Sequence, residues 1–362
     1  MTDEEYMRVA LDAASYAKGR TSPNPLVGAV VVKDNRIVSV GWHRKAGTEH
    51  AEIHALKMAG DLAKGSTIYV TLEPCSHYGR TGPCAKALVE AGISRAVVAM
   101  PDPNPLVSGR GIQILKDAGI QVDVGILEEE ARKLNEVFLK WIVKKIPFVT
   151  LKMAMSLDGK IATCTGESQW ITSAESRLKG HEWRDSTDAI LVGIGTVLAD
   201  NPQLTARIGN GGHNPVRIVL DSKGRIPLES KILHDNEAPV WVAVTENAPS
   251  ERIEAIKSTG ADIIVCGSGD TVNLKSLLEQ IGERGITSLL VEGGGQTIYS
   301  FLHDGLADKV EAFIAPMLIG GKDAKTPVEG DGFASLEAAV KLEQMTYQMI
   351  GSDILVTGYV RK

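Results

Sequence analysis

Apolar residues fall in short runs and alternations bounded by turn residues along the whole chain, a pattern of strands and helices following one another. Residues 27–41 read as a β-hairpin: VGAVVVK, a turn at Asp34-Asn35, then RIVSVG. His50 to Ala59 reads as a helix, with Thr48 as the expected N-cap and Gly60 as the stop. STIYVTLEP predicts a strand that delivers Cys75 at its end, and Ala85 to Ala91 a helix that begins immediately after Cys84 and stops at Gly92. RAVVAM and the shorter VDVGIL predict two more strands. Residues 128–144 predict one amphipathic helix, with acids at its start and lysines near its end, as the helix dipole favours.

Pro147 interrupts this pattern, and the chain then starts afresh. FVTLKMAM, a helix over 173–186, AILVG, VRIVLD, VWVAV, ADIIVCG and LLVEGG follow in turn, and the chain closes with KVEAFIA, MTYQMI and DILVTGYV without helices between them. Such alternation predicts a mainly parallel sheet, and the closing hairpin an antiparallel edge. A chain of 362 residues exceeds what one hydrophobic core usually covers. Two α/β domains are expected, 1–147 and 148–362, without internal repeats.

Composition narrows the class of protein. Hydrophobic content of 43% and charged content of 23% are ordinary for a globular chain. No apolar run approaches the roughly 18 residues of a membrane span, and the first residues, MTDEEYMRVA, have neither a basic start nor an apolar stretch of a leader. The four cysteines make no disulfide framework, which favours a reducing, cytoplasmic setting. Residues 1–147 carry 19 basic and 17 acidic side chains, the remainder 20 and 28. Neither half has the basic stripe that nucleic-acid binding needs, so a small-molecule substrate is expected.

The chemistry concentrates at His50-Ala51-Glu52, Pro74-Cys75 and Pro83-Cys84. One imidazole and two thiolates make a zinc-ligand set with the fourth tetrahedral position left for water, which zinc makes acidic near pH ~7. Glu52 can move protons beside it. Zinc deaminases pair H-x-E with P-C-x-x-C. Here eight residues, SHYGRTGP, separate the cysteines, and His77 and Arg80 of that insert are either substrate contacts or solvated loop residues. Residues i and i+2 do not share a helix face, so Glu52 is expected to point away from His50. A structural zinc site with His54 as fourth ligand, or unligated core cysteines, are the competing readings.

In the second half, Gly193-Ile194-Gly195 and Gly293-Gly294-Gly295 each follow a strand and open a helix, where a backbone cradle could take a cofactor's pyrophosphate. Either could equally be a tight turn. No G-x-G-x-x-G is present, which argues against a Rossmann domain. Asp221 after a strand suggests NAD, whereas Ser222, Lys223 and Arg225 behind it suit a 2′-phosphate. Cys164 and Cys266 read as structural.

With these motifs in view, nearly the whole chain resembles the bifunctional deaminase/reductase family of bacterial riboflavin biosynthesis. The resemblance rests on SPNPLVGAVVV (22–32), HAE (50–52), TLEPCSHYGRTGPC (71–84) and PDPNP (101–105), then on LKMAMSLDGKIAT (151–163), SQWIT (168–172), GIGTVLADNPQLTAR (193–207) and VEGGG (291–295). It implies an N-terminal cytidine-deaminase-like α/β/α domain and a C-terminal dihydrofolate-reductase-like α/β domain. It further implies zinc on His50, Cys75 and Cys84, proton transfer by Glu52, and substrate contacts at Asn24, His43, His77 and Asn104; Asn24 and Asn104 also read as turn residues. For the second domain it implies NADPH against Ala154, Trp170, Thr196, Asp200, Ser222, Gly294, Gly295, Gln296 and Thr297. Substrate would meet Lys152, Ser168, Arg184, Leu204, Arg207 and Glu292. Lys152 as a solvated face residue and Arg184 as a surface ion pair are the plainer readings. The family also suggests a homo-oligomer, a tetramer, acting in the cytoplasm. The alternative is a nucleoside or nucleic-acid deaminase with an accessory nucleotide-binding domain.

Overall fold

The computed structural model describes residues 1–76, 82–104, 108–209 and 211–361, in two compact units, Met1–Lys145 and Ile146–Lys362. His77 and Arg80 lie outside the described residues.

The first unit holds a five-stranded sheet of β1 (Gly28–Lys33), β2 (Arg36–Trp42), β3 (Thr67–Val70), β4 (Arg95–Val98) and β5 (Gln121–Val124), in the order β2-β1-β3-β4-β5. The hairpin β1–β2 is antiparallel, β1 also runs antiparallel to β3, and β3, β4 and β5 are parallel. Alternate side chains of each buried strand feed two cores. Val31, Ile68 and Val98 pack with Ala51, Ala55, Leu88 and Leu115 on one face. Val30, Tyr69 and Val97 pack with Met7, Ala10, Ala131 and Phe138 on the other. Helices therefore cover both faces, giving the expected α/β/α layers.

Three local readings change. Thr48 does not cap the helix Ala51–Ala59; its hydroxyl donates to Lys45 O, and His50 takes the N-cap place with extended backbone. The strand toward Cys75 stops at Val70; the chain beyond is anchored by Thr71 N on Gly28 O and Glu73 N on Met100 O. Residues 128–144 form two helices, Glu128–Leu134 and Glu136–Lys144, broken at Asn135. The Asn135 side chain is buried because it pairs with both backbone groups of Leu26. Two helices went unforeseen, Asp3–Ser15 and Arg110–Asp117; the first opens with a Thr2/Glu5 capping box.

The second unit is built on a nine-stranded sheet. Its strands are β6 (Phe148–Ser156), β7 (Ala189–Gly193), β8 (Val216–Leu220), β9 (Val240–Val244), β10 (Asp262–Val265), β11 (Ser288–Val291), β12 (Lys309–Ala315), β13 (Leu342–Ile350) and β14 (Asp353–Val360). Their order is β10-β9-β8-β7-β11-β6-β12-β14-β13. Pairing is parallel from β10 through β12 and antiparallel for the last two neighbours, as the alternation implies. The central strands bury both faces, Leu191, Ile218 and Val291 toward one core and Ile190, Val192 and Val219 toward the other. Among the described residues no helix is long and apolar enough to cross a membrane.

Candidate functional site

His50 stands just before the helix Ala51–Ala59, Cys84 is the first residue of the helix Cys84–Glu90, and Cys75 lies on the loop after β3. His50 Nδ1 is 3.2 Å from Cys84 Sγ and 3.5 Å from Cys75 Sγ. The three donor atoms all lie within 4.8 Å of one another. Tetrahedral zinc, with bonds of about 2.0 Å to nitrogen and 2.3 Å to sulfur, sets its ligand atoms roughly 3.5–3.8 Å apart, so this donor set fits the ion. Cys84 N also donates to Cys75 Sγ at 3.3 Å, an N–H at a helix start favouring the thiolate. Hydrogen bonding from the Cys84 thiol holds Cys75 low and, reciprocally, pushes Cys84 up.

Glu52 sits in the first helical turn and is 3% exposed. Burial first, and then the charge of Cys75, pushes its carboxyl up to about 7, while its side chain hydrogen-bonds Cys84. The helix-face argument fails because His50 is outside the helix, so both side chains reach Cys84. Among the described residues His54 does not join the ligand cluster; its Nδ1 faces Glu49 Oε2 at 4.0 Å.

His43 lies edge-on to His50 at 5.6 Å. Its Nδ1 donates to Glu49 O at 3.0 Å, and its Nε2 accepts from Asn24 Nδ2 at 3.1 Å. Burial lowers its pKa, which keeps the ring neutral and suits this tautomer. Asn24 and His43 are thus brought together beside the cluster. Asn104 sits in a turn in which its N–H donates to Asp102 Oδ1.

In the second unit the C-terminal ends of β7, β8 and β11 open a cavity of 770 Å³, where ligands bind in parallel α/β sheets. Thr196, Asp200, Ser222 and Gly294 to Thr297 line it, together with Ser168, expected on the substrate side. Ala154 lies on β6 opposite Phe313, and Trp170 is exposed beneath the Arg177 guanidinium; neither lines the cavity. Both glycine loops are needed for close approach: a Cβ on Gly193 would stand 2.6 Å from Thr297 Oγ1, and one on Gly293 2.6 Å from Thr297 Cβ. Arg225, Lys325 and Tyr299 also line the cavity. Asp221 is buried, accepts from Ile226 N and does not line the cavity.

Beside the cavity's Gly293 loop, Glu292 accepts from Arg184 Nε at 2.9 Å and Nη2 at 2.7 Å, with Lys152 Nζ 3.8 Å away. Burial works to raise the Glu292 pKa, but Arg184 and Lys152 outweigh it and bring it down to about 2. Arg184 Nη1 donates to Thr205 O, and Arg207 Nη1 to Thr205 Oγ1. Lys152, Arg184, Arg207 and Glu292 therefore gather around one segment. Leu204 turns its side chain into the core at a positive φ of 57°, leaving only its main chain to meet a ligand.

Comparison with known proteins matches residues 147–356 to the RibD C-terminal domain. The chain belongs to the RibD family. Residues 1–100 match the cytidine and deoxycytidylate deaminase zinc-binding region. The riboflavin biosynthesis protein RibD of Aquifex aeolicus is 46% identical over 98% of this chain and 97% of its own length, and that of Escherichia coli 40% identical over 98% of both. Acinetobacter baumannii RibD superposes with a TM-score of 0.89 at 40% identity, covering 99% of both chains. A Thermotoga maritima structure, a diaminohydroxyphosphoribosylaminopyrimidine deaminase/5-amino-6-(5-phosphoribosylamino)uracil reductase, gives 0.86 at 39% identity, again over 99% of both. RibD membership makes the chain a bifunctional enzyme of riboflavin biosynthesis, with a zinc-dependent deaminase domain and an NADPH-dependent reductase domain.

Two residues that sequence reasoning passed over stand out in this RibD chain. Glu73, in the quoted TLEPC, and Asn135, inside an apparently continuous helix, are both buried polar groups bound to backbone. A carboxylate two residues before a metal ligand was the available signal for the first.

Proposed function

We propose that residues 1–147 deaminate 2,5-diamino-6-ribosylamino-4(3H)-pyrimidinone 5′-phosphate, and that residues 148–362 then reduce the ribosyl group to ribityl, yielding 5-amino-6-ribitylamino-uracil 5′-phosphate. The observation that carries this reading is Glu52, buried against Cys84 of the His50–Cys75–Cys84 set. His50, Cys75 and Cys84 hold zinc, which supplies an activated water at neutral pH. Glu52 accepts a proton as water adds to the ring carbon and returns it to the departing ammonia. Asn24, oriented by His43, contacts the pyrimidine; Asn104 and His77 are further contacts.

In the second domain NADPH supplies a hydride to the ribose C1′. The Gly294–Thr297 stretch, Thr196, Asp200 and Ser222, which line the cavity, bind the cofactor, and Ala154 and Trp170, outside that lining, are further contacts to it. Lys152 and Glu292 polarise the reacting end of the sugar. Arg184 is committed to Glu292, so the exposed Arg207 meets the substrate phosphate, with Ser168 and the Leu204 main chain beside it. The substrate is a small molecule, not a nucleic acid, and the enzyme works in the cytoplasm. We also read it as a homo-oligomer, a tetramer. The support is β13, an edge strand exposing Met345, Tyr347 and Met349.

The test is to incubate the protein with the diaminopyrimidine phosphate, with and without NADPH. Ammonia is expected in both cases, and NADPH consumption only after deamination. NADPH oxidation that precedes ammonia release would overturn the order proposed.

A further inference from the structure

Among the described residues, the Glu73 side chain ties the loop carrying Cys75 to the start of the helix Arg110–Asp117. Glu73 is 3% exposed. Its Oε2 accepts from Asp102 N at 3.2 Å and Gly109 N at 3.0 Å. Its Oε1 accepts from Gly111 N at 2.9 Å and Ile112 N at 3.4 Å. These donors come from the segment bearing Asn104 and from the first turn of the helix Arg110–Asp117, whose N-terminal N–H groups have no partner within the helix. The main chain is pressed equally close: a Cβ on Gly111 would stand 1.9 Å from Pro74 O. Glu73 N donates in turn to Met100 O. Glu73-Pro74-Cys75 is thus fastened on one side to this helix and on the other to the helix that begins at Cys84, through Ala85 N on Cys75 O and Cys84 N on Cys75 Sγ.

We propose that Glu73 is the positioning residue of the metal site, fixing Cys75 at tetrahedral distance by gripping the main chain of Asp102, Gly109 and Gly111. The inference rests on the deaminase reading above. It adds that Cys75 is anchored from its N-terminal side, through Glu73. Groups that orient metal ligands typically carry about 10–100-fold in metal affinity. Glu73→Gln keeps the shape but turns one acceptor oxygen into a donor facing backbone N–H groups. Gly111→Ala pushes on Pro74 O and also on Glu73 Cγ, 3.3 Å from the new Cβ, and so shifts Gly111 N away from Glu73 Oε1.

The experiment uses the full-length protein loaded with Co²⁺ in place of zinc, together with zinc competition against a chromophoric chelator. Far-UV circular dichroism, together with NADPH oxidation on already deaminated substrate, serves as the control for folding. For both variants a shifted or weakened cobalt ligand-field band at saturating metal is expected, with zinc affinity lowered about 10–100-fold. A merely structural role would lower the melting temperature and leave the saturated cobalt spectrum unchanged; that result overturns the proposal. Should either variant not fold, Glu73→Asp, which keeps the charge and shortens the reach, decides by the same two readings. Wild-type protein that binds cobalt but releases no ammonia would instead sink the deaminase reading and leave the Glu73 assignment standing.

Discussion

Arg184 and Glu292 form a two-point ion pair, Nε to Oε1 at 2.9 Å and Nη2 to Oε2 at 2.7 Å, with the Glu292 side chain 9% exposed. Removing one partner leaves the other charged and buried, which typically costs about 3–5 kcal/mol, whereas replacing both by apolar groups is far milder. Arg184→Met should therefore destabilise the second unit by about that much. Adding Glu292→Met should restore most of the loss. Neither variant should oxidise NADPH, because the pair also orders Lys152. Urea unfolding and cofactor absorbance separate the two effects.

The same pair sets a pH dependence. The folded Glu292 pKa of about 2 lies below its ordinary 4.5, so the unfolded chain binds the proton more readily. Its stabilisation is complete above pH 4.5 and is lost as pH falls toward about 2. Asp158, held at about 2 by Ser156 Oγ and the N–H groups of Ile319 and Gly320, acts in the same direction. The double Met variant should lose the Glu292 share of this slope. Chemical unfolding repeated across that pH window checks it; an unchanged slope would show that Glu292 titrates alike in both states.

Glu52 and the ligand trio should be separable. Glu52→Gln is expected to retain one zinc, since Glu52 lies outside the cluster, and to lose ammonia release by about 10²–10⁴-fold. A chelator that strips zinc should abolish ammonia release from the wild type while NADPH binding continues. Metal analysis and a coupled ammonia assay read both. Loss of zinc from Glu52→Gln would move Glu52 from proton carrier to ligand.

Much of this architecture is legible in the residues themselves. Strand order cannot be read from sequence, but the alternation after Pro147 does announce a parallel sheet, because each parallel connection needs a helix to cross over. The ligand trio was legible because histidine and cysteine beside proline and HAE are chemically distinctive. Glu73 and Asn135 were not, because their function is to satisfy backbone groups remote in sequence, and no local pattern records a partner some 30 or 109 residues away. Thr48 misled for a related reason: a side chain that favours caps also favours local turns, and here Lys45 O was the nearer partner.

The cofactor cradle should be sensitive to one methyl group. Gly193→Ala would place a Cβ 2.6 Å from Thr297 Oγ1, at the junction of both glycine loops. We expect KM for NADPH to rise by at least about tenfold, equivalent to ~1.4 kcal/mol. Deamination should continue unchanged. Titration of NADPH fluorescence against the variant measures the loss directly. Unaltered affinity would mean that Thr297 yields and that the loop does not carry the pyrophosphate.

Arg207 offers a charge test in the cluster around Thr205, outside the cavity lining. Its side chain reaches solvent but is partly desolvated, and that desolvation, then repulsion from Arg184, lowers its pKa. Arg207→Ala should raise KM for the phosphorylated substrate and leave the NADPH affinity alone, seen in initial rates at saturating cofactor. Equal loss for a dephosphorylated substrate would remove the phosphate from its role.

Asn135 connects a helix break to the segment that carries Asn24. Its Oδ1 accepts from Leu26 N at 2.8 Å and its Nδ2 donates to Leu26 O at 2.9 Å, only two residues from Asn24. Asn135→Ala would leave both Leu26 backbone groups unpaired, at about 1–3 kcal/mol for each group that stays buried. The strain falls on the segment holding Asn24 against His43, so the deaminase KM should rise with little change in kcat. Asn135→Asp keeps the acceptor but sets a buried carboxylate oxygen against the Leu26 and Ala131 carbonyls, and should cost at least as much as Asn135→Ala in both stability and KM. Asn135→Leu would favour one continuous helix over 128–144, as the pattern of apolar positions alone suggests. Its helical content by circular dichroism should then rise while deaminase activity falls, because the helix break, and not the helix, holds residues 22–26 in place.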